Sequence, residues 1–196
     1  MTLFTAGDGN TPLSPEEQDA LIPNLATKEE LNEWERQNIL EAYTWALNPK
    51  SIRRRDHLTE AYVRALHLRM FDQTWKWAGT YRTTEKNIGI PHYQIRDSLA
   101  ALLEDVRYWL DRQTFEPDEI SIRFHHRLVS IHPFANGNGR HARLIADALI
   151  KKQGRPVFSW GSADIVRIGD LRRSYIDALR AADRNDIQPL LTFARS

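Results

Sequence analysis

Apolar residues recur every three or four positions through most of this chain, which is the spacing of one face of an α-helix. The first such stretch begins at Thr27, and Thr27 or Asn32 is placed to cap one helix that an interruption can divide. Later stretches with the same period cover residues 59–71, 98–110, 120–129, 143–152, 168–182 and 187–194. The pattern predicts a mainly α fold in a single domain.

Two stretches depart from helical spacing. Residues 1–26 are rich in Gly, Pro and polar side chains, which favours an irregular arm over a long helix. Residues 79–95 carry isoleucines and tyrosines around Asn87, Gly89 and Pro91, and this predicts a short β-hairpin. We therefore expect a surface arm over residues 1–26, followed by one helical domain over residues 27–196 that carries a small hairpin.

The composition narrows the possible classes of protein. In 196 residues, 27 Lys and Arg balance 26 Asp and Glu, so no global field draws the chain to nucleic acid or to an anionic membrane. The chain has no apolar run of about 18 residues and no signal-peptide pattern, so we expect neither a membrane span nor secretion. Cysteine is absent, which excludes disulfides and thiolate chemistry and fits a cytoplasmic protein.

The most distinctive local sequence lies between two predicted helices, over residues 131–143, and reads Ile-His-Pro-Phe-Ala-Asn-Gly-Asn-Gly-Arg-His-Ala-Arg. Gly137 and Gly139 allow the backbone to bend tightly and to approach a ligand. A helix that begins near Asn138 would direct its first N–H groups into this loop. The run therefore predicts a cradle for an anion such as a phosphate.

Charged and titratable side chains flank the cradle. Arg140 and Arg143 share one face of the helix, where guanidinium groups suit polyphosphate oxygens. His132 precedes the cradle, where an imidazole can take a proton from a hydroxyl. Phe134 differs, because an apolar ring in a polar loop is typical of an anchor in the core. Each feature is ordinary alone, but their concentration within 12 residues indicates a functional site.

This run resembles the signature of the Fic (Fido) family, His-Pro-Phe-x-(Asp/Glu)-Gly-Asn-Gly-Arg-x-x-Arg, at every fixed position except the acidic one. Similar residues before and after it extend the resemblance over about residues 57–195. The arm also resembles a branch called mobile mystery protein B, a group linked to mobile elements. The resemblance implies a Fic-type helical domain in which the predicted hairpin is a flap.

Fic proteins typically transfer the AMP part of ATP to a protein hydroxyl, and the resemblance gives each matched residue a role. The general base that deprotonates a Ser, Thr or Tyr of the target protein would be His132. The α-phosphate would be held by Gly137, Asn138 and Gly139, and the β- and γ-phosphates by Arg140 and Arg143. The flap that aligns the target segment by main-chain pairing would comprise Lys86, Asn87, Ile88, Gly89 and Ile90.

Asn136 stands where the family usually has an acid that binds Mg²⁺. The amide oxygen of Asn can coordinate a hard cation but brings no charge, so we expect weaker metal affinity. ATP with Mg²⁺ remains the expected substrate pair. Three consequences stay open: a slow enzyme, a metal held mostly by the nucleotide phosphates, or a changed donor.

Many Fic proteins are restrained by a helix with the pattern (Ser/Thr)-x-x-x-Glu-(Gly/Asn), whose glutamate pairs with the second arginine of the signature. Within residues 27–38 the nearest candidate is Glu30, which follows Thr27 by three residues instead of four. We expect Glu30, or alternatively Glu33, to pair with Arg143, unless these acids only solvate or cap the first helical turn. An antitoxin-like partner is the other possible form of restraint.

Two other features were candidates for different chemistry. Four histidines fall within 17 residues, but no Cys and no His-Glu-x-x-His pattern occurs, which disfavours a zinc hydrolase. The basic run over residues 53–55 has no interleaved aromatic residues, which is typical of a solvated face. The sequence therefore predicts a protein adenylyltransferase. The alternatives are a Fic-fold transferase with another donor and a catalytically weak nucleotide-binding regulatory module.

Overall fold

The structure, a computed structural model, describes residues 12–162 and 168–196, so residues 1–11 of the predicted arm lie outside the described residues. The described residues form nine α-helices and a 3₁₀ turn at His92–Gln94. The helices are α1 (Pro15–Gln18), α2 (Lys28–Leu47), α3 (Pro49–Arg54), α4 (Glu60–Phe71), α5 (Ile95–Arg112), α6 (Pro117–Ile131), α7 (Asn138–Lys152), α8 (Ile168–Asp183) and α9 (Gln188–Arg195). The predicted mainly α class is confirmed.

Local capping chemistry explains where the early helices begin and end. Thr27 caps α2 in a reciprocal capping box with Glu30, as expected of a Thr three residues before a Glu. The expected interruption occurs at Asn48, whose side chain accepts from the Lys50 N–H at 2.9 Å and caps α3. Thr59 caps α4 in the same way, because its hydroxyl accepts from the Tyr62 N–H at 3.1 Å.

Helix α7 runs through the centre of the molecule. Its residues from Ala142 to Ile150 are buried apart from Arg143, and they pack against α2, α4 and α6. The burial of nearly all of its circumference fixes the axis of α7, so its N-terminal end is a rigid platform. Within the described ranges, no helix is long and apolar enough to cross a membrane.

The described part of the arm packs closely on this domain. Leu13, Leu21 and Leu25 are partly buried against the main core. Main-chain bonds also join the arm to the segment after α4, through an antiparallel bridge between Leu21 and Trp75. The arm therefore has a defined position beside residues that precede the flap.

The hairpin predicted over residues 79–95 is wrong. β structure in the described part of the chain is limited to two isolated bridges, one of which joins Tyr81 to Phe134. The main chain here pairs with other partners: the Arg82 N–H donates to Pro133 O at 3.0 Å, and the Arg82 guanidinium donates to the carbonyls of Thr84 and Ile90. β-branched residues around turn formers favour an extended chain but do not determine whether its partner is itself.

Candidate active site

The candidate site is built on the turn that joins α6 to α7. His132 ends α6 in the left-handed conformation, with φ of 55°, and its N–H donates to Leu128 O at 3.2 Å. Gly137 then occupies the N-cap of α7, so α7 begins at Asn138 as the sequence indicates. No side chain caps this end, and the first-turn N–H groups of an α-helix have no intrahelical acceptor. The turn therefore presents N–H groups that suit an anion.

Gly137 is required by the shape of this turn. Its φ is +78°, and a Cβ at this position would lie 2.4 Å from Cζ of Phe71. Gly139 is different, because a Cβ there would meet only the Tyr175 hydroxyl, at 3.6 Å. Gly137 thus allows the backbone to pack on a ring, whereas packing in this structure does not require glycine at position 139.

The side chain of Asn138 braces the cradle from inside. Its Oδ1 accepts from the Phe134 N–H at 2.9 Å, and its Nδ2 donates to Phe134 O at 2.8 Å. Phe134 is fully buried, which places the expected anchor in the core. Because the Asn138 amide is used in this pair, its contribution to a phosphate site is its main-chain N–H.

His67, a buried histidine of α4, fixes the peptide group between Asn136 and Gly137. The Gly79 N–H donates to Nδ1 of His67 at 2.9 Å, so the neutral ring carries its proton on Nε2. Nε2 then donates to Asn136 O at 3.1 Å, while the ring stacks on Phe134 with centroids 3.7 Å apart. Burial holds the pKa of His67 well below its usual 6.5, which keeps this donor neutral.

His132 itself is only 5% exposed. Burial, together with the charge of Arg82, lowers its pKa to about 4, so the imidazole is neutral near pH 7 and able to accept a proton. The guanidinium of Arg82 also donates from Nε to His132 O at 2.7 Å. One buried arginine therefore holds the His132 carbonyl and adds to the effect of burial on the imidazole.

The flap, residues 86–90, lies directly against His132. A Cβ on Gly89 would be 2.6 Å from Cβ of His132, so only glycine allows this approach. Ile88 at the tip of the flap is 44% exposed, while Ile90 O accepts from Arg82 beneath it. The structure thus brings the predicted flap and the predicted base together, although the flap is not a hairpin.

The two arginines of the signature have different partners. Arg140 Nη1 lies 2.6 Å from Oε2 of Glu35, and its guanidinium also packs over the Phe71 ring. Arg143 lies over the ring of Tyr175, at 5.1 Å from the centroid. Both arginines thus contact rings that also lie beside the cradle glycines, since Phe71 is next to Gly137 and the Tyr175 hydroxyl is next to Gly139.

The predicted pairing of Glu30 with Arg143 is wrong. The exposed carboxylate of Glu30 accepts from the N–H groups of Ala26 and Thr27 at 2.8 and 3.1 Å, which is the capping alternative. The acid of α2 that reaches the signature is Glu35, which pairs with Arg140. Glu35 also accepts from the Trp75 indole at 2.8 Å and is 8% exposed. Glu33 instead pairs with Arg36 at the surface.

The residues around Asn136 do not form a magnesium cage. Its Oδ1 accepts from the Gly137 N–H at 2.6 Å, and its carbonyl oxygen is bonded to His67. Over residues 12–162 and 168–196, no group of three or more His, Cys, Asp or Glu side chains is placed to hold a metal ion. Hard cations need several oxygen ligands, so these residues alone do not fit a resident Mg²⁺.

Comparison with known proteins places this site in a family. The Fic/DOC family profile matches residues 57–150, which include His132, the cradle and both arginines. The matched segment is a Fic/DOC family domain. The narrower resemblance to mobile mystery protein B stays a prediction.

Curated relatives of this Fic chain are named as enzymes. Protein adenylyltransferase Fic of Nematostella vectensis is 33% identical over 119 residues, which cover 59% of this chain and 26% of the relative. Protein adenylyltransferase Fic of Aedes aegypti is 26% identical over 158 residues, which cover 79% of this chain and 30% of the relative. The Fic chain thus corresponds to less than a third of the length of these two relatives.

A solved structure supports the fold of the Fic chain. It is the BepC protein, a VirB-translocated effector protein from Bartonella tribocorum with bound AMPPNP, and it superimposes with a TM-score of 0.65. The match covers 93% of this chain and 97% of BepC at 18% sequence identity. At this identity the likeness shows a common fold, and the activity has to be argued from the site.

Proposed function

We propose that the chain is a protein adenylyltransferase that transfers AMP from ATP to a Ser, Thr or Tyr hydroxyl of a target protein. The observation that carries this proposal is the position of a neutral buried histidine, His132, immediately before an uncapped helix N-terminus that bears Arg140 and Arg143. A base, a phosphate cradle and two cations are the parts that nucleotidyl transfer needs. The names of the curated relatives support the same activity.

The reaction follows from the positions of these parts. The target hydroxyl oxygen attacks the α-phosphorus of ATP while His132 accepts its proton. A new phosphorus–oxygen bond forms to the target, and the bond from the α-phosphorus to the bridging oxygen breaks, so pyrophosphate leaves. The first N–H groups of α7, from Asn138 and Gly139, stabilise charge that develops on the α-phosphate oxygens, and Arg140 and Arg143 hold the departing pyrophosphate.

The low pKa of His132 agrees with this role once ATP is bound. At a pKa of about 4 the free imidazole is neutral but weakly basic. Negative phosphate groups beside the ring favour its protonated form, so binding of the nucleotide raises the pKa towards neutrality. The base therefore becomes stronger when its substrate is in place.

Mg²⁺ enters this proposal with the nucleotide. Asn136 offers a neutral oxygen that already accepts from the Gly137 N–H, and it supplies no charge. When bound, Mg²⁺ would neutralise charge on the triphosphate, mostly through phosphate oxygens and water. We expect Asn136→Asp to lower the Mg²⁺ concentration needed for half-maximal labelling, and an unchanged magnesium titration would remove Asn136 from the metal's surroundings.

We further propose that Glu35 restrains the enzyme, in the role first expected of Glu30. Its carboxylate occupies Arg140, and the Trp75 indole holds the same side chain from the other oxygen. A phosphate therefore competes with this carboxylate for the guanidinium. An antitoxin-like partner and a cytoplasmic location stay predictions.

The flap is proposed to dock the target segment beside His132. Its residues Asn87 and Ile88 are exposed, and the contact of Gly89 with His132 places main-chain groups of the flap next to the base. An extended segment of the target that pairs with this backbone would bring its hydroxyl towards the imidazole.

The proposed activity is tested by paired labelling. Wild type, His132→Ala and Glu35→Gly are incubated with a cell lysate, Mg²⁺ and either α- or γ-labelled ATP. We expect label from the α position alone, strongest for Glu35→Gly and about a thousandfold weaker for His132→Ala. Label from the γ position alone would mean phosphate transfer.

If neither α- nor γ-labelled ATP gives any label, two other functions have to be distinguished, and a direct measurement of ATP binding distinguishes them. Tight ATP binding without transfer would favour a nucleotide-binding regulatory module, the candidate that the neutral Asn136 favours. Absence of ATP binding would favour a transferase with another donor.

A further inference from the structure

The side chain of Lys86, the first residue of the flap, is almost completely buried. It is 3% exposed, although most residues around it in the sequence are exposed. Its ammonium group contacts the carboxylate of Glu17 and donates to Pro12 O at 3.0 Å. A lysine at this burial requires compensation of its charge. Both compensating groups belong to the arm.

Glu17 lies on α1 and is held at several atoms. Its Oε2 accepts from the Ser14 N–H at 2.8 Å, in a capping box, and also contacts Lys86. Its Oε1 accepts from the hydroxyl of Thr84 at 3.1 Å, and its main-chain oxygen accepts from the Trp77 indole at 3.1 Å. One arm residue therefore grips both Lys86 and the residue two positions before the flap.

The arm itself is anchored to the domain. The Ile22 N–H donates to Thr74 O and the Lys76 N–H donates to Ala20 O, both at 2.9 Å. These two bonds flank the bridge between Leu21 and Trp75. Glu17 is thus attached to a fixed base, and the ion pair transmits that position to the flap.

The contact between Glu17 and Lys86, called the clamp below, holds the end of the flap that begins at Lys86, and this end is close to the proposed base. The positive charge of Lys86 contributes to the lowered pKa of His132, behind burial and Arg82. At the other end of the flap, Gly89 packs on His132 and Ile90 is bonded to Arg82. Loss of the clamp at Lys86 would leave the flap held at one end only.

We propose that Glu17 is a positioning residue, which fixes the flap through Lys86 so that a target segment lies in register with His132. This inference rests on the proposed role of the flap as the docking site for the target. It assigns the arm a function in target binding, in addition to packing on the core.

The first test measures the flap without any activity. Hydrogen–deuterium exchange of the flap peptide is compared among wild type, Glu17→Gln, Lys86→Met and the charge swap Glu17→Lys with Lys86→Glu. The matched control is Glu16→Gln, because Glu16 is an exposed acid of the same helix whose carboxylate accepts from the Ser14 hydroxyl. We expect about tenfold faster exchange in both single variants, at least partial recovery in the swap, and no change in the control.

The second test separates positioning from folding. Labelling of a short unstructured acceptor peptide that carries Ser, Thr and Tyr is measured against peptide and ATP concentration. We expect Glu17→Gln to raise KM for the peptide about tenfold and to change KM for ATP less than twofold. Equal increases in both constants, or unchanged exchange of the flap, would overturn the proposal. If wild type labels neither this peptide nor the lysate, the proposed activity fails, and the exchange experiment still decides whether Glu17 holds the flap.

Discussion

The cradle and the flap both contact the region of His132, but different chemistry holds each of them. Neutral buried groups hold the cradle, where Asn138 bonds to the main chain of Phe134 and His67 bonds to Asn136. Charged groups hold the flap, through the guanidinium of Arg82 and the ion pair between Glu17 and Lys86. The segment that would bind a fixed phosphate geometry is held by short-range bonds between neutral groups. The segment that would meet a variable protein is held by an ion pair and by hydrogen bonds from the Arg82 guanidinium.

This difference has an energetic meaning. A buried neutral hydrogen bond fixes the position of both partners, and loss of one partner leaves the other without compensation. An ion pair has a broader dependence on distance and angle, so a tethered segment can shift while the pair persists. We therefore expect substitutions in the cradle to affect nucleotide binding sharply, and substitutions at the flap to affect target binding more gradually.

The largest expected effect comes from breaking the cradle with Gly137→Ala. A Cβ at Gly137 would strike the ring of Phe71 and would sit on a backbone with φ of +78°. We expect at least about a hundredfold loss of labelling, because the first N–H groups of α7 would no longer point towards the same phosphate.

Gly154→Ala is the matched control for Gly137→Ala. Gly154 has φ of +76° but open space where a Cβ would be built, so it carries the backbone strain without the contact. Chemical unfolding of both variants measures the strain that they share. Equal labelling rates in the two variants would show that contact with Phe71 does not shape the site.

A tenfold effect on ATP affinity is expected from the ion pair between Arg140, beside the cradle, and Glu35 of α2. Glu35→Gln removes the charge that occupies Arg140 but keeps an oxygen for the Trp75 indole. We expect ATP to bind about tenfold more tightly. Glu30→Gln, on the same helix, should lower the free energy of unfolding only slightly, because it weakens the capping bonds to Ala26 and Thr27, and it should leave ATP affinity unchanged. Titration calorimetry measures the ATP affinity of both variants, and chemical unfolding measures their stability. Tighter ATP binding in Glu30→Gln would contradict the assignment to Glu35.

Acid should separate the cradle from the flap. The pKa of His67 and that of His141, which is lowered to about 4, lie below the ordinary value of 6.5. An opened state therefore binds more protons than the closed state below pH 6.5, and stability falls as the pH falls. Each of these histidines that becomes exposed on opening should lower the protection of the cradle amides from hydrogen exchange. The expected decrease is about tenfold for every pH unit below 6.5.

The flap gives the internal comparison for this acid test. Its buried pair joins a lysine to a carboxylate, and the flap covers one histidine with a lowered pKa, His132, whereas Phe134 of the cradle packs on both His67 and His141. Hydrogen exchange at pH 7 and pH 5.5, corrected for intrinsic rates, should show the cradle loosening more than the flap. Equal loosening of the two segments would mean that they open as one unit and would break the comparison.

The local parts of this fold and site could be predicted from the sequence. Thr59 before an apolar helical stretch predicts the start of α4, and the two glycines around Asn138 predict the start of α7. These features depend on residues within a few positions of each other. The same local chemistry explains why Glu30 caps α2 and is not a partner of Arg143.

The contacts that complete the site could not be predicted in this way. Glu35 and Arg140 are 105 residues apart in the sequence, and Glu17 and Lys86 are 69 apart. Their meeting depends on how α2 and the arm pack on the domain, and no short-range spacing specifies that packing. The missing hairpin has the same cause, because Arg82 supplies the partners that a second strand would have supplied.

The smallest expected effect comes from variants that each retain one of the two hydrogen bonds of the His67 ring, the bond with Gly79 or the bond with Asn136. Asn at this position can place an oxygen where Nδ1 accepts from Gly79, and Gln can place an amide nitrogen where Nε2 donates to Asn136. If the bond to Asn136 positions the cradle, His67→Gln should retain ATP affinity within about twofold, while His67→Asn weakens it about fivefold.

Both His67 variants lose the stacking of the imidazole on Phe134, so the difference between them isolates the bond to the cradle from the packing of the ring. ATP affinity is measured by calorimetry on protein shown to be folded by circular dichroism, and unfolding free energies are measured in parallel. Weaker binding in His67→Gln than in His67→Asn would mean that the bond to Gly79 matters more. The position of the cradle would then be set through the segment that leads to the flap, and the two regions would be mechanically coupled despite their different chemistry.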